Sequence, residues 1–399
     1  MRNDLIEIEP TFRTKGYEPQ SLKIANYSKM ELDVQTSILN LFSERSTNTE
    51  AAGIGTEWST DRILNIVGTS YRNLFSNKAL GEEGFVLTDH EILEYPTIPD
   101  HAKFRYLDYR YRYNKFPQNK VSSSHPPCLQ IEPTSVCNYR CIMCYQVDPT
   151  FNKKTGGFMG RMTLQTFKNI VDQVDGSIEA ITMASRGEPL LNKELPEMLA
   201  YCEGKFLGLK LNTNASLLDE KNAHMLLSSD IRNLVFSLDA ADKESYEKIR
   251  VNGDFDLIRR NLELFADIRE KHYGDKKIVC KISGVRINSK QSPEEISAVW
   301  GNFVDSIALV NYSPWEDTYN NEINELTEPC TDLWRRMFVW WDGSVNPCDV
   351  DYKSTLGDWS IHETSVSDIW TSEYYTSLRQ KHLSAQRNTL EPCRRCVST

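Results

Sequence analysis

Three cysteines on one short segment have the clearest capacity for chemistry in this sequence. They are Cys137, Cys141 and Cys144, in the run CNYRCIMC. Three thiolates at this spacing can each bind a different iron of a cubane iron–sulfur cluster and leave the fourth iron without a protein ligand. An iron left open in this way can bind a substrate or cofactor, by the logic that separates catalytic from structural zinc. Zinc ligation and unpaired core cysteines are the alternative interpretations.

Four more cysteines form a second group later in the sequence. They are Cys330, Cys348, Cys393 and Cys396. The first two flank the run WWDGSVNP at 340–347, in which Asp-Gly is typical of a tight turn between two strands. The last two form a CxxC pair. Four thiolates can fully ligate either a zinc ion or an iron–sulfur cluster, so the residues alone leave that choice open.

The elements that position these cysteines follow from the hydrophobic pattern. From residue 128, short apolar runs alternate with longer amphipathic segments, which predicts repeated βα units and a parallel sheet. The predicted strands are 128–132, 177–183, 206–212, 231–238, 277–287 and 306–310. The predicted helices lie near 163–174, 192–203, 219–228, 255–271 and 293–300. Ligands of such sheets bind at the carboxyl ends of the strands, and the three-cysteine segment directly follows the first strand.

The sequence divides into three predicted domains, at 1–122, 123–312 and 313–399. The first carries no motif of evident role, although its pattern predicts a helix at 60–75. Its run at 103–120 interleaves arginine, lysine and tyrosine, which suits stacking on RNA or contact with an acidic partner. The plainer interpretation is a linker that packs on the βα region through its tyrosines.

Bulk composition excludes several classes of protein. The formal net charge of −10 argues against a general nucleic-acid binder, because neutralising phosphates requires a positive surface. No stretch approaches the roughly 18 to 20 apolar residues of a membrane span. The start, MRNDLIEIEP, lacks the basic and apolar regions of a secretory signal. We therefore expect a cytoplasmic protein whose cysteines are reduced.

The CxxxCxxC motif after the first strand resembles the radical S-adenosylmethionine (SAM) superfamily, and the resemblance covers residues 128 to about 312. It implies an α/β fold, a partial (β/α)6 TIM-like barrel. It also implies a 4Fe–4S cluster on Cys137, Cys141 and Cys144 whose open iron chelates SAM. In that family, reductive cleavage of SAM yields a 5′-deoxyadenosyl radical that abstracts a substrate hydrogen. A reducing partner such as flavodoxin or ferredoxin is implied with it.

The resemblance extends to residues that would contact SAM. Met143 stands at the family's position whose backbone touches adenine. The run SRGEP at 185–189 matches the family's Gly-Gly-Glu-like segment, which holds the amino group of SAM. Arg186 replaces the first glycine, but Gly187 and Glu188 remain, and a buried carboxylate is a charged acceptor for an ammonium group.

Polar residues at the ends of later strands match further family contacts to SAM. Asn212 and Asn214 follow the third strand, where the family binds ribose hydroxyls or the carboxylate. Ser237 and Asp239 end the fourth strand, and Asn288 lies just past the fifth. Taken alone, each of these residues could instead be a strand-end turn or a helix cap.

The segment from Cys330 to Cys396 resembles the SPASM/twitch extensions that follow radical SAM barrels. It shares the PCxxD run at 347–351 and a helical DIW segment at 368–370. Full SPASM modules carry further cysteines after the CxxC, whereas this sequence ends three residues later. The resemblance therefore implies one auxiliary 4Fe–4S cluster with four cysteine ligands, as in the shorter twitch type.

A twitch-type aminocyclitol dehydrogenase motivates the expected reaction. We expect oxidation or epimerisation of a small polar molecule, with a sugar or aminocyclitol as substrate. Asp317 is a candidate base in the linker toward the auxiliary module, and Cys280, on a barrel strand, is a candidate hydrogen donor for epimerisation. A solvated carboxylate and a buried core cysteine are the plainer interpretations of these two residues.

Two other functions remain open. Many SPASM proteins modify peptides, so a peptide maturase that binds a leader through residues 1–122 is the alternative enzyme. A non-enzymatic zinc-binding protein is the remote alternative, and an intact cysteine segment with an acidic SAM contact argues against it.

Overall fold

The computed structural model describes residues 20–22, 27–44, 58–288 and 291–397. These residues form two compact units. One unit lies within Lys23–Ser122, and the other combines Met1–Leu22 with Ser123–Thr399. The division into domains at residues 122 and 312 stays a prediction.

The unit within Lys23–Ser122 is helical in its described residues. Its helices are α1 (Tyr27–Glu44), α2 (Thr60–Phe75), α3 (Asp89–Glu94) and α4 (Lys103–Asn119). The helix predicted at 60–75 is α2. The run at 103–120 forms α4 and is not a linker. Tyr106, Tyr109 and Tyr111 are buried in this unit, so they are not an exposed stacking surface.

A buried ion pair joins α3 to α4. Glu91 is fully buried and contacts the guanidinium of Arg110, whose side chain is 14% exposed. One carboxylate oxygen of Glu91 also accepts a hydrogen bond from Asn114 Nδ2 at 2.7 Å, and the other accepts one from the backbone N–H of Thr88 at 2.7 Å. These donors offset the cost of burying the charged carboxylate of Glu91. A buried guanidinium that lost its carboxylate partner would not have this compensation.

Replacing Glu91 with alanine should therefore destabilise the α3–α4 region by about 3 kcal/mol, because it leaves the buried guanidinium of Arg110 with only a 4.0 Å contact to the carboxylate of Glu94. Glu83→Ala is the matched control, since it breaks the exposed pair between Arg62 and Glu83 (39% and 45% exposed) and should cost under about 1 kcal/mol. Hydrogen–deuterium exchange of peptides from α3 and α4 measures both. Equal protection in the two variants would contradict the prediction.

The second unit is built on one large sheet. Twelve strands lie in the described residues: β1 (Gln20–Leu22), β2 (Cys128–Ile131), β3 (Arg140–Cys141), β4 (Ala180–Met183), β5 (Gly208–Thr213), β6 (Asn233–Ser237), β7 (Arg250–Val251), β8 (Val279–Arg286), β9 (Ser306–Asn311), β10 (Arg336–Val339), β11 (Ser344–Asn346) and β12 (Trp359–Ser360). Ten of them form a sheet in the order β1-β9-β8-β6-β5-β4-β2-β10-β11-β12. The remaining two, β3 and β7, pair with each other.

The middle of this sheet is parallel. Strands β9, β8, β6, β5, β4, β2 and β10 run in one direction, and antiparallel strands close both edges. The six strands predicted from the sequence are β2, β4, β5, β6, β8 and β9. The expected α/β fold, a partial (β/α)6 barrel, is confirmed.

Helices connect the parallel strands in the expected places. They are α5 (Leu164–Val174), α6 (Leu195–Tyr201), α7 (Glu220–Ser228), α8 (Lys243–Ile249), α9 (Phe255–Tyr273) and α10 (Pro293–Trp300). The sequence pattern did not predict α8, because its seven residues, KESYEKI, are too few to show a helical period. Three further helices, α11 (Asp332–Arg335), α12 (Val366–Thr371) and α13 (Glu373–Leu383), follow the repeat.

The C-terminal segment continues the same sheet. Strand β10 pairs in parallel with β2, and β10 and β11 form the hairpin predicted at 340–347, with Val339 opposite Val345. Gly343 lies in the turn with φ +86°, a conformation that glycine adopts without strain. The segment with the second cysteine group is therefore hydrogen-bonded to the first barrel strand.

The two faces of the central strands differ in chemistry. Along β5, Leu209 and Leu211 are fully buried in the main hydrophobic core, whereas the alternate residues Lys210 and Asn212 are only partly buried. Since the helices of βα units cover the outer face of the sheet, Lys210 and Asn212 lie on the inner face. None of the helices described is long and apolar enough to cross a membrane.

Candidate active site

The structure brings Cys137, Cys141 and Cys144 together in the loop after β2. Cys137 Sγ accepts a hydrogen bond from the backbone N–H of Tyr139 at 3.4 Å. Cys141 lies on β3, and the backbone N–H of Cys144 donates to its carbonyl at 3.0 Å. Each thiol is partly buried, and the three are close enough to influence one another's pKa.

The electrostatics of these thiols suit a positively charged metal cluster. Burial, and then the neighbouring Cys141, raises the pKa of Cys137 to about 12. Burial and the same neighbour also raise the pKa of Cys144. Thiolates are therefore costly here unless a cation accompanies them, and bound iron supplies that charge. This donor set fits an iron–sulfur cluster.

The SRGEP loop packs tightly against the start of the cysteine loop. A Cβ on Gly187 would lie 2.2 Å from the carbonyl oxygen of Thr134 and 2.6 Å from that of Val136, so a side chain is excluded there. The backbone N–H of Glu188 donates to the Val136 carbonyl at 2.9 Å. The glycine is thus required by close backbone approach.

Glu188 is buried at the carboxyl end of β5. One of its carboxylate oxygens accepts from Thr213 Oγ1 at 2.7 Å, and the other accepts from the backbone N–H of Asn214 at 2.7 Å. Burial raises the pKa of this carboxyl, and these hydrogen bonds oppose the shift. The side-chain amide of Asn214 donates to Asn138 Oδ1 at 3.0 Å, which ties β5 to the cysteine loop.

The side chain of Arg186 turns away from the cysteine loop. This orientation explains how an arginine can stand where the family has a glycine. Its guanidinium forms a two-pronged contact with buried Glu132, with Nε–Oε2 at 2.6 Å and Nη2–Oε1 at 2.7 Å. A third nitrogen donates to the carbonyl of Tyr352 at 2.8 Å, and the guanidinium lies 4.0 Å from the ring centre of Trp340. The side chain therefore joins the SRGEP loop, β2 and the C-terminal segment.

Other residues predicted to contact SAM occupy strand ends around the same loop. Met143 is buried in the main core between two of the cysteines. Ser237 ends β6, and Asn288 follows β8, where its backbone N–H donates to Gln291 Oε1 at 3.1 Å. Asp239 is fully buried, accepts from the backbone N–H of Val285 at 2.7 Å, and contacts a guanidinium.

The inner face of the sheet carries a continuous polar row. Gln130 on β2, Thr182 on β4, Lys210 on β5 and Asn233 on β6 stand at directly paired positions of neighbouring strands. Among the described residues, Asn233 Oδ1 is buried without a hydrogen-bond partner, as is Asn212 Oδ1. Buried oxygens of this kind are normally satisfied, so this face is suited to a ligand rich in donors.

The two predicted catalytic residues lie in different places. Cys280 is the second residue of β8, fully buried in the main core, and burial raises the pKa of its thiol to about 12. It therefore lies at the opposite end of the strand from the cysteine loop and is not brought together with the other site residues. Asp317 is partly buried after β9 and accepts from Asn320 Nδ2 at 2.7 Å.

The structure also gathers the second cysteine group. Cys330, Cys348, Cys393 and Cys396 are partly buried. Burial is the largest cause of the raised pKa values of Cys330, Cys348 and Cys393. Other cysteines of the group raise these pKa values further. Within the described residues, no three His, Cys, Asp or Glu side chains are arranged to hold a single metal ion.

Arg387 organises this group, and sequence reasoning missed it. Its buried guanidinium donates to the carbonyls of Glu328 at 3.0 Å and Cys396 at 2.9 Å, with a longer contact of 3.4 Å to that of Cys393. One side chain therefore holds the segment before Cys330 against the CxxC pair. Arg387 lies six positions before Cys393, but a single arginine there has no sequence signature of this role.

Asp349 is a second residue that the sequence analysis did not single out. It directly follows Cys348, and burial together with nearby Asp332 raises the pKa of its carboxyl to about 6. Its charge also acts on Tyr145, which directly follows Cys144. The carboxyl group beside Cys348 therefore influences a residue next to the first cysteine group, and only its place inside the run PCDVD at 347–351 could have pointed to it.

Comparison with known proteins places both cysteine groups in recognised families. The family model described as the radical SAM superfamily matches residues 131–309, and the model described as an iron–sulfur cluster-binding domain, SPASM, matches 330–397. Together the two matches cover more than half of the chain. Both family resemblances are therefore confirmed.

Similar proteins include a maturase and a protein solved in complex with a precursor peptide. Mycofactocin maturase MftC of Mycolicibacterium smegmatis is 22% identical over 222 residues, which are 54% of this chain and 51% of that protein. The matches span about half the length of the first curated relatives or less. Streptococcus suis SuiB bound to precursor peptide SuiA has 16% identity and a TM-score of 0.50, with 78% and 80% of the two chains covered. BtrN in complex with AdoMet and 2-DOIA has 18% identity and a TM-score of 0.49, with 69% and 94% covered.

Replacing Arg387 with alanine should remove metal from the second cysteine group and leave the first loaded, because the carbonyl contacts that hold its segments together are lost. Iron and zinc analysis of purified protein measures this. Arg387→Lys, which keeps the charge but not the fork of donors, should shift the metal content in the same direction. Arg259→Ala, an exposed arginine on α9, is the control, and a full metal content in Arg387→Ala would contradict the assignment.

Proposed function

Because this chain belongs to the radical SAM superfamily and carries a SPASM iron–sulfur domain, we propose that it oxidises or epimerises a small polar molecule of the sugar or aminocyclitol type. The observation that carries this proposal is the polar inner face of the barrel. The unpartnered oxygen Asn212 Oδ1, near the carboxyl end of β5, suits the hydroxyl and ammonium donors of such a molecule.

The cofactors of this enzyme are a radical SAM 4Fe–4S cluster, an auxiliary cluster and SAM. When bound, they supply an electron and a carbon radical that abstracts hydrogen. We assign the first cluster to Cys137, Cys141 and Cys144. The auxiliary cluster is assigned to the group organised by Arg387, namely Cys330, Cys348, Cys393 and Cys396.

Glu188 is the residue proposed to bind the amino group of SAM. It is a buried carboxylate whose two oxygens are oriented by Thr213 and Asn214. Each carboxylate oxygen has two acceptor positions. Oε1 also accepts from the backbone N–H of Leu190 at 3.1 Å, so the second position of Oε2 remains for an ammonium donor. The link from Asn214 to Asn138 holds this acceptor at a fixed place beside the cysteine loop.

Dehydrogenation is the favoured of the two reactions. Oxidation of an alcohol to a carbonyl requires the loss of a proton, and Asp317 Oδ2 is a candidate acceptor in the segment between the barrel and the auxiliary module. Epimerisation through Cys280 requires a thiol near the substrate, and Cys280 lies at the amino end of β8. The contrast between these positions supports oxidation.

Peptide modification is the second candidate, favoured by the similarity to mycofactocin maturase MftC. A leader peptide would then bind outside the barrel. The described residues of the unit within Lys23–Ser122 form α1 to α4 without a strand, which differs from the alternating strands and helices of a winged helix. This difference weighs only against leader binding by a winged helix.

A substrate test separates these functions. Anaerobic protein would be incubated with SAM, a low-potential reductant, and either sugars and aminocyclitols or short peptides, and products followed by mass spectrometry. A product lighter by two hydrogens supports dehydrogenation. When the incubation is repeated in heavy water, a product that differs from the substrate only by one deuterium in place of hydrogen supports epimerisation. Turnover of peptides alone would overturn the small-molecule proposal.

The two cluster assignments can be tested by iron and sulfide content with electron paramagnetic resonance. The wild type should hold about eight irons, and the Cys137/Cys141/Cys144→Ala variant about four, because each set of cysteines binds one cubane. Cys393/Cys396→Ala is the matched variant and should retain the spectrum that responds to SAM. Loss of that response in the second variant but not in the first would reverse the assignment.

Glu188→Gln should weaken SAM binding by about tenfold or more, since hydrogen bonds to charged groups contribute about 1.5–3 kcal/mol. Anaerobic calorimetry on cluster-loaded protein measures the affinity. Glu197→Gln, an exposed residue of α6, is the control and should bind SAM like the wild type. An unchanged affinity in Glu188→Gln with a full iron content would remove Glu188 from the SAM site.

A further inference from the structure

Arg250 lies beside the cysteine loop and has no role assigned by the sequence motifs. We infer that Arg250 and Asp239 form a charge pair that sets the reduction potential of the cluster bound by the three-cysteine loop, with Arg250 raising it and Asp239 limiting the rise. This inference concerns the cluster itself and does not depend on the identity of the substrate.

The placement of Arg250 follows from strand pairing. Arg250 begins β7, which pairs antiparallel with β3 so that Arg250 stands directly opposite Cys141. The backbone N–H of Ile142 donates to the carbonyl of Ile249 at 3.0 Å, which closes the same short ladder. The cysteine loop is therefore held against the end of α8 by its backbone.

The guanidinium reaches the sulfur. Arg250 Nη1 donates to Cys141 Sγ at 3.8 Å, and its side chain is only 8% exposed. Within the described residues, this is the one side-chain hydrogen bond to a sulfur of the three-cysteine loop. Arginine stays protonated under all ordinary conditions, so the positive charge beside Cys141 is permanent.

Asp239 holds the other side of the guanidinium. Its Oδ2 lies 2.7 Å from Arg250 Nε, and its carboxylate is fully buried. The N–H of Arg250 Nε is not aimed along this line, so the contact is an ion pair rather than an aligned hydrogen bond. Asp239 Oδ1 accepts from the backbone N–H of Val285 at 2.7 Å, which fixes the carboxylate to β8.

Reduction adds one negative charge to an iron–sulfur cluster. A fixed positive charge and an N–H donor at a ligating sulfur stabilise the reduced form, and cluster potentials respond to both. Asp239 has the opposite effect, but it lies behind the guanidinium, one contact farther from the sulfur. The two residues should therefore shift the potential in opposite directions, with Arg250 the stronger.

The experiment is a redox titration of the cluster-loaded full chain, without SAM, followed by electron paramagnetic resonance. A parallel sample with SAM identifies the signal of the open-iron cluster, because only that signal changes. Where the wild-type cluster is half reduced, Arg250→Gln should lower the ratio of reduced to oxidised cluster about tenfold, which is 59 mV for one electron. Asp239→Asn should raise the ratio, and Arg250→Lys, which keeps the charge, should fall between wild type and Arg250→Gln.

Opposite shifts distinguish an electrostatic role from a bracing role, because damage to the loop moves both variants in the same direction. Arg259→Gln on the exposed face of α9 is the control for surface charge and should leave the ratio unchanged. Equal potentials in wild type, Arg250→Gln and Asp239→Asn, at full iron content, would overturn the inference. If Arg250→Gln does not retain its cluster, Asp239→Asn decides alone, and a ratio that is unchanged or lowered would overturn the inference.

Discussion

Buried charge at the carboxyl ends of the strands must be compensated, and this constraint organises the site. Glu132 is paired with Arg186, Asp239 with Arg250, and Glu188 with donors from the end of β5. Glu132 and Arg186 lie in the connections after β2 and β4, and Glu188 takes its donors from the end of β5, whereas Asp239 and Arg250 both lie in the connection between β6 and β8. Because removing one member leaves the other buried and uncompensated, the loops that carry these residues cannot rearrange independently, and the cysteine loop is held between them.

The pair between Glu132 and Arg186 extends this constraint to the C-terminal segment. Arg186 also donates to the carbonyl of Tyr352, whose ring stacks on Tyr145 with centres 5.0 Å apart. Tyr145 directly follows Cys144, and Tyr352 lies four residues after Cys348. Arg186 therefore makes contacts that a glycine at this position could not make. These contacts fix the segments beside the two cysteine groups relative to each other.

Much of this architecture could be predicted from sequence because its signals are local. Cysteine spacing, the six strand patterns and the Asp-Gly turn each occupy a few consecutive residues. Arg250, Glu132 and Arg387 could not be found in this way, since their roles depend on partners up to 109 positions away. Helix α4 was not predicted for another reason. Tyrosine has both apolar and polar parts, so the buried face of α4 shows no clear helical period in the sequence.

The pairing of β10 with β2 has a consequence for any shortened form of this chain. Strand β2 lies in the sheet between β4 and β10, so the barrel alone would expose the backbone N–H and C=O groups of its first strand. A bare edge strand with three apolar residues among its four, CLQI, is a template for pairing with another chain. The C-terminal segment thus also protects the barrel against edge-to-edge aggregation, whatever its part in electron transfer.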